Sequence, residues 1–152
     1  MAKELSLLLV GATGAVGQAV LRQALAEKRI TRIVAPTRRP LEAGFAGNPR
    51  LLNPVIDFAR LPEEAAWWKV DAVVCTLGTT IKVAGSQAAF AAVDRDLPIA
   101  FARLAREAGA TRYALNSSLG ASARGSFYLR TKAEAEQGII DLGFPSTTIV
   151  RP

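Results

Sequence analysis

Leu5-Ser6-Leu7-Leu8-Leu9-Val10-Gly11-Ala12-Thr13-Gly14-Ala15-Val16-Gly17 is the stretch that decides the fold. The apolar run Leu5 to Val10 reads as a buried strand, the three glycines as a turn, and the amphipathic stretch Val16 to Glu27 as a helix. Glycine lets another backbone or a ligand approach without a Cβ in the way, and the first turn of a helix points free N–H groups outward. Together they make a site for the pyrophosphate of a dinucleotide, with Thr13, Ala15 and Val16 supplying main chain between Gly11, Gly14 and Gly17. A P-loop, the competing phosphate cradle, needs Lys and then Ser or Thr after its last glycine, whereas Gln18-Ala19 follow here.

Beyond this unit the same alternation continues. Strands are expected at Leu5 to Val10, Arg32 to Thr37, Leu51 to Ile56, Asp71 to Thr76, Thr111 to Asn116 and Thr147 to Val150. Helices are expected at Val16 to Glu27, Pro62 to Lys69, Ser86 to Ala108 and Phe127 to Asp141. Apolar strands alternating with amphipathic helices predict an α/β fold, a doubly wound, Rossmann-like parallel sheet of about six strands with helices on both faces. Pro62 suits a first helical turn, with Glu63 and Glu64 complementing the helix dipole, and Gly143 suits a left-handed stop after Asp141. In the longest helix Phe90, Val93, Leu97, Phe101, Leu104 and Ala108 form one apolar stripe, and Pro98 introduces a kink. Of Trp67 and Trp68, about 100° apart on a helix, one ring should pack under the sheet and the other stay half exposed.

The chain of 152 residues is long enough for one core, and a single domain over 1–152 is expected, without a C-terminal substrate-covering segment. Half the residues are hydrophobic, yet no apolar run approaches the roughly 20 residues of a membrane span. Without an apolar leader after Met1, a cytoplasmic location is expected. The absence of histidine removes most zinc sites, the Ser-His-Asp triad and the Cys-His pair, and no metal is expected. The single cysteine, Cys75, sits in the apolar run Val70 to Leu77 and reads as a buried thiol. A net charge of +6 comes from scattered basic residues with no interleaved aromatics, which argues against nucleic acid as the partner.

In a doubly wound sheet the ligand lies over the carboxyl ends of the strands, where the strand order reverses. A second loop, Thr76-Leu77-Gly78-Thr79-Thr80 after the fourth strand, should therefore meet the cofactor along with the glycine turn. At the end of the second strand Arg38 and Arg39 stand where an acidic residue would select NAD, so NADP is favoured over NAD. Asp57 is placed to accept from the adenine amino group, with Phe58 against the ring.

Tyr128 and Lys132, at i and i+4, emerge from one face of the last helix. A phenol supported by an ammonium can protonate a carbonyl oxygen as hydride arrives, and the hydroxyl of Ser118, or of Ser117, would hydrogen-bond the same oxygen. The glycine turn, the Cys75 to Thr80 segment, Val93-Asp94-Arg95-Asp96, Ser117-Ser118, Tyr128 with Lys132, and the closing Val150-Arg151-Pro152 resemble the short-chain dehydrogenase/reductase superfamily. Within it they are similar to the atypical NmrA-like and Tat-interacting oxidoreductase-like branch. The likeness implies an NAD(P)-binding domain whose Tyr128, Lys132 and Ser118 or Ser117 act on a small carbonyl or alcohol, Lys132 also binding the nicotinamide ribose. It equally admits a non-catalytic NADP-binding regulator or redox sensor acting through a protein partner, and, by analogy, a homodimer. No Asn-Asn-Ala-Gly element follows the fourth strand, and only ten positions separate Ser118 from Tyr128.

Overall fold

Apolar side chains on both faces of a strand demand cover on both sides, and the chain supplies it with helices. The computed structural model describes residues 3–45 and 47–152. Its strands are β1 (Leu5–Val10), β2 (Ile30–Val34), β3 (Leu51–Leu52), β4 (Ala72–Cys75), β5 (Arg112–Asn116) and β6 (Ser146–Val150). They form one parallel sheet in the order β3-β2-β1-β4-β5-β6. The order reverses between β1 and β4, as the Rossmann-like reading requires. At the amino ends of these two strands, Ser6 N donates to Asp71 Oδ2 at 2.8 Å and ties them together.

Side chains alternate between two cores, as the period of a strand dictates. Leu7, Leu9 and Ile33 pack with Leu21 and Ala24 of helix α1 (Ala15–Ala26). Leu8, Val10, Val73, Tyr113 and Leu115 face the other way, toward Phe101 and Ala105 of α4 (Leu97–Glu107) and Ile139 of α5 (Phe127–Ile140). Two shorter helices precede α4: α2 (Ile81–Ala84) and α3 (Gln87–Ala91). Trp68 is buried beside Phe101 and Trp67 half-buried, as expected. Gly143 takes the left-handed conformation after α5.

Three expectations need correcting. Pro62 to Lys69 is not a helix but a turn leading to a single 3-10 turn at Ala66–Trp68. The Pro62 carbonyl accepts from both Ala65 N and Trp68 Nε1, so burying the indole closes the chain too tightly for an α-helix. Ser86 to Ala108 is not one helix: α3 passes through a π-helical segment, Ala92–Asp96, into α4. Pro98 has no N–H to offer the carbonyl one turn back, and the ladder widens just before it. The second and third strands are shorter than Arg32 to Thr37 and Leu51 to Ile56, because Pro36 and Pro54 each remove a ladder donor; pairing resumes as a bridge between Thr37 and Val55.

A polar lock joins the carboxyl ends of β5 and β6 to α5. Buried Glu136 accepts from Ser117 Oγ at 2.6 Å on Oε2, and both its oxygens accept from the Arg151 guanidinium. Burial raises this carboxyl, but the Arg151 hydrogen bonds, the Ser117 hydroxyl and the Arg151 charge outweigh it and hold it below the usual carboxylate range. Stability from the lock is therefore full above the unfolded-state value and is lost as pH falls through the lower folded-state one. Glu136→Gln is expected to cost about 2 kcal/mol at pH 7 and to flatten the acid side of a Tm-against-pH profile. Cys75 is fully buried and desolvation pushes its thiol up to about 11. It should stay unreactive toward a thiol reagent at pH 8 in the folded chain and react once in guanidinium.

Candidate cofactor and catalytic site

The three glycines of the first turn serve three different ends. Gly11 has φ +94, and a Cβ there would stand 2.6 Å from Thr76 Oγ1 and 2.8 Å from Leu77 N, so the end of β1 and the loop after β4 touch backbone to backbone. A Cβ on Gly17 would lie 1.8 Å from the Gly11 carbonyl oxygen, so its absence lets α1 pack on the turn. Gly14 alone opens outward: its Cβ would meet nothing nearer than Gly11 O at 3.6 Å. It also begins α1 with no side chain capping the helix, which leaves the first N–H groups of that helix for a ligand. Thr76 Oγ1 donates to the carbonyls of Val10 and Gly11, both at 3.1 Å, and steadies the turn from below.

Above this junction lies a cleft of about 1080 Å³ at the carboxyl ends of the central strands. Gly11, Thr13 and Gly14 line it from one side and Thr76, Leu77, Gly78 and Thr79 from the other, which are the two predicted loops. Arg38, Asp57 and Phe58 line its far end, and Phe58 stands edge-on to Phe101 at 5.3 Å. An adjoining recess of about 590 Å³ is lined by Thr13, Arg38 and Arg39. Both arginines are exposed, and among the described residues neither is paired with a carboxylate. Thr37 Oγ1, which donates to Arg39 O at 2.5 Å, and Asn53 Nδ2, which donates to Thr37 Oγ1 at 2.8 Å, hold their loop. Ala15, Val16, Gly17 and Thr80 lie outside the cleft lining; the Thr80 hydroxyl turns back to accept from Val83 N and caps α2.

The second constellation is assembled on α5. Ser126 caps the helix by accepting from Leu129 N, and Tyr128 and Lys132 follow one turn apart, with Lys132 Nζ 5.5 Å from the Tyr128 ring centroid. The Tyr128 ring stacks against Phe90 of α3 at 5.2 Å. Ser117 is committed to Glu136, whereas the half-buried Ser118 makes only a weak contact with Leu119 O at 3.4 Å. Tyr128, Lys132, Ser117 and Ser118 are not part of the cleft lining.

Asp94 is the residue that sequence reasoning did not place. It is 2% exposed in the π-helical segment, its Oδ1 accepts from Lys132 Nζ, and its Oδ2 accepts from Thr79 N at 3.0 Å. Burial raises its carboxyl, opposed by the Lys132 hydrogen bond and charge and by the Thr79 N–H. A Cβ on Gly78 would stand 3.6 Å from Asp94 Oδ1 and 3.9 Å from Lys132 Nζ, so the ion pair adjoins the cleft wall. One signal was legible: Asp94 falls four positions after Phe90 on the apolar stripe, a charge on a core-facing line.

The roles of the glycines separate in their variants. Gly17→Ala forces a methyl onto immovable backbone and is expected to cost about 3 kcal/mol or more. Gly14→Ala, at φ −75 and ψ 168, is expected to keep the wild-type Tm while weakening dinucleotide binding about tenfold in a fluorescence titration.

Residues 11–152 match the protein family described as NAD(P)H-binding. A mitochondrial protein FMP52 of Lodderomyces elongisporus is 37% identical over 97% of this chain and 65% of its own length. The rat protein HTATIP2 is 34% identical over 97% of this chain and 61% of its own length, so the chain spans less than two thirds of these relatives. MoeE5, solved with UDP-glucose and NAD, superposes with a TM-score of 0.77 at 19% identity, over 96% of this chain and 53% of that one. No helix among the described residues is long and apolar enough to cross a membrane. The resemblance drawn from the motifs is thus borne out, and the chain belongs to the NAD(P)H-binding family.

Proposed function

We propose that the chain is an NADP-dependent oxidoreductase of the atypical short-chain type, acting on a small carbonyl or alcohol. The observation that carries this reading is Lys132, one turn from Tyr128 and anchored by Asp94 against the Gly78 wall of the cleft. The chain's residues suit a dinucleotide: Gly14 and the uncapped start of α1 fit the pyrophosphate, and the unpaired Arg38 and Arg39 fit a 2′-phosphate. Asp57 and Phe58 fit the adenine. When bound, the nicotinamide gives or takes a hydride.

In reduction, Tyr128 Oη gives its proton to the substrate oxygen while the C–H bond forms, and in oxidation it takes that proton back. Lys132 spends one of its three donors on Asp94 and keeps two for the ribose and the phenol. Ser118 anchors the substrate oxygen, since the Ser117 hydroxyl is held by Glu136. A second reading, a dinucleotide-sensing regulator without turnover, is favoured by the position of Tyr128 and both serines outside the cleft lining. A cytoplasmic location belongs to this proposal; the mitochondrial label is said of the fungal relative.

A panel of carbonyls and alcohols with NADPH absorbance monitored separates the two readings. The enzyme reading expects turnover that Tyr128→Phe lowers by about 10²-fold or more, and Arg38→Ala that weakens NADPH about tenfold while leaving NADH unchanged. Tight NADPH binding with no turnover on any substrate supports the regulator.

A further inference from the structure

Lys132 and Asp94 are 6% and 2% exposed, and they form a buried ion pair that adjoins the cleft wall at Gly78. Both oxygens of Asp94 are in use, one on the Lys132 ammonium and one on the Thr79 amide, and at 2% exposure the carboxylate is kept from a substrate by burial. What remains to it is position and charge. It connects the loop after β4 to α5 through the π-helical segment, and it cancels the ammonium where the pair adjoins Gly78. The other carboxylate of this segment, Asp96, lines the cleft but is paired with Arg95 at 2.8 Å. Arg95 also pairs with Glu134, so these three charges make a separate group that leaves Lys132 to Asp94.

Resting on the reading above, in which Lys132, beside Gly78, binds the nicotinamide ribose, charge at this wall has a selective effect. The oxidised nicotinamide ring carries a positive charge and the reduced ring carries none. A bare ammonium a few ångströms away repels the first and is indifferent to the second; an ammonium compensated by a carboxylate repels neither. We propose that Asp94 is a positioning residue that sets the preference of the site between oxidised and reduced dinucleotide, by holding Lys132 and the Thr79 amide in place and neutralising the ammonium beside the nicotinamide.

The test is the ratio of dissociation constants, Kd of NADP+ over Kd of NADPH, measured by calorimetry on the full chain at pH 7.5. NAD+ and NADH are run in parallel so that the result does not depend on Arg38. Asp94→Asn, which keeps the shape and removes the charge, is expected to raise the ratio about tenfold. Lys132→Met, which leaves the carboxylate uncompensated, is expected to lower it. The double variant Asp94→Asn/Lys132→Met is expected to return the ratio to within about twofold of wild type, as coupled charges require. Should Asp94→Asn not fold, as judged by circular dichroism, the sign of the change in Lys132→Met decides alone.

A purely structural Asp94 weakens both forms equally and leaves the ratio unmoved, and that result overturns the proposal. A ratio that moves the same way in both single variants also overturns it. If the wild-type chain binds none of the four dinucleotides, the cofactor reading itself falls, an outcome distinct from an unchanged ratio in a chain that binds them.

Discussion

The carbonyl oxygen of Gly11 occupies the space in which any side chain at position 17 would have to stand, and the architecture of the site follows from that contact. It sets how closely α1 leaves the end of β1. It also sets how near the loop after β4 can come, because Gly11 meets Thr76 and Leu77 on its other side. Two loops that would otherwise diverge where the strand order reverses are held in contact at their base, and the cleft opens above them. Only then is Gly14 left with free space and the first turn of α1 with free donors. A motif that reads as one signal is thus two packing devices and one opening.

The parts of this arrangement made by neighbours in the chain were legible from the residues. β1, the turn and α1 were found within a residue or two, because apolar run, glycine and amphipathic period lie side by side. The same holds for α5, where Tyr128 and Lys132 share a face by helical geometry alone. Illegible were the features decided by partners distant in sequence. The turn at Pro62 is a local exception: only six positions separate it from Trp68, yet nothing in them announces that its carbonyl will serve the indole in place of a helix. Ser117 and Ser118 are alike until Glu136, nineteen positions on, claims the first of them. Asp94 and Lys132 are 38 positions apart, so helical spacing could mark Asp94 as facing the core but not name its partner.

Burying two opposite charges is a weak way to stabilise a fold, since desolvation offsets most of their attraction. Asp94 and Lys132 are therefore better understood through what they join. One carboxylate reaches the loop after β4, its own helix, and α5, so the loop that lines the cleft and the helix that carries Tyr128 share a common anchor. The Glu136 lock repeats the pattern one helical turn further along α5, gathering the ends of β5 and β6. Both locks lie on the face of α5 toward the sheet, leaving Tyr128 half-buried ahead of them.

The π-helical segment between Phe90 and Phe101 also limits how this part of the chain can vary in length. Each residue added to or removed from a helix turns everything beyond it by about 100°. The wide turn at Ala92–Asp96 lies within this stretch, and Phe90, Asp94 and Phe101 on and around it all face inward. Deleting a single position there would turn Phe90 and everything before it by about 100° against α4. Substitutions along this helix can be accommodated one by one, but insertions and deletions cannot, and its register is inherited whole.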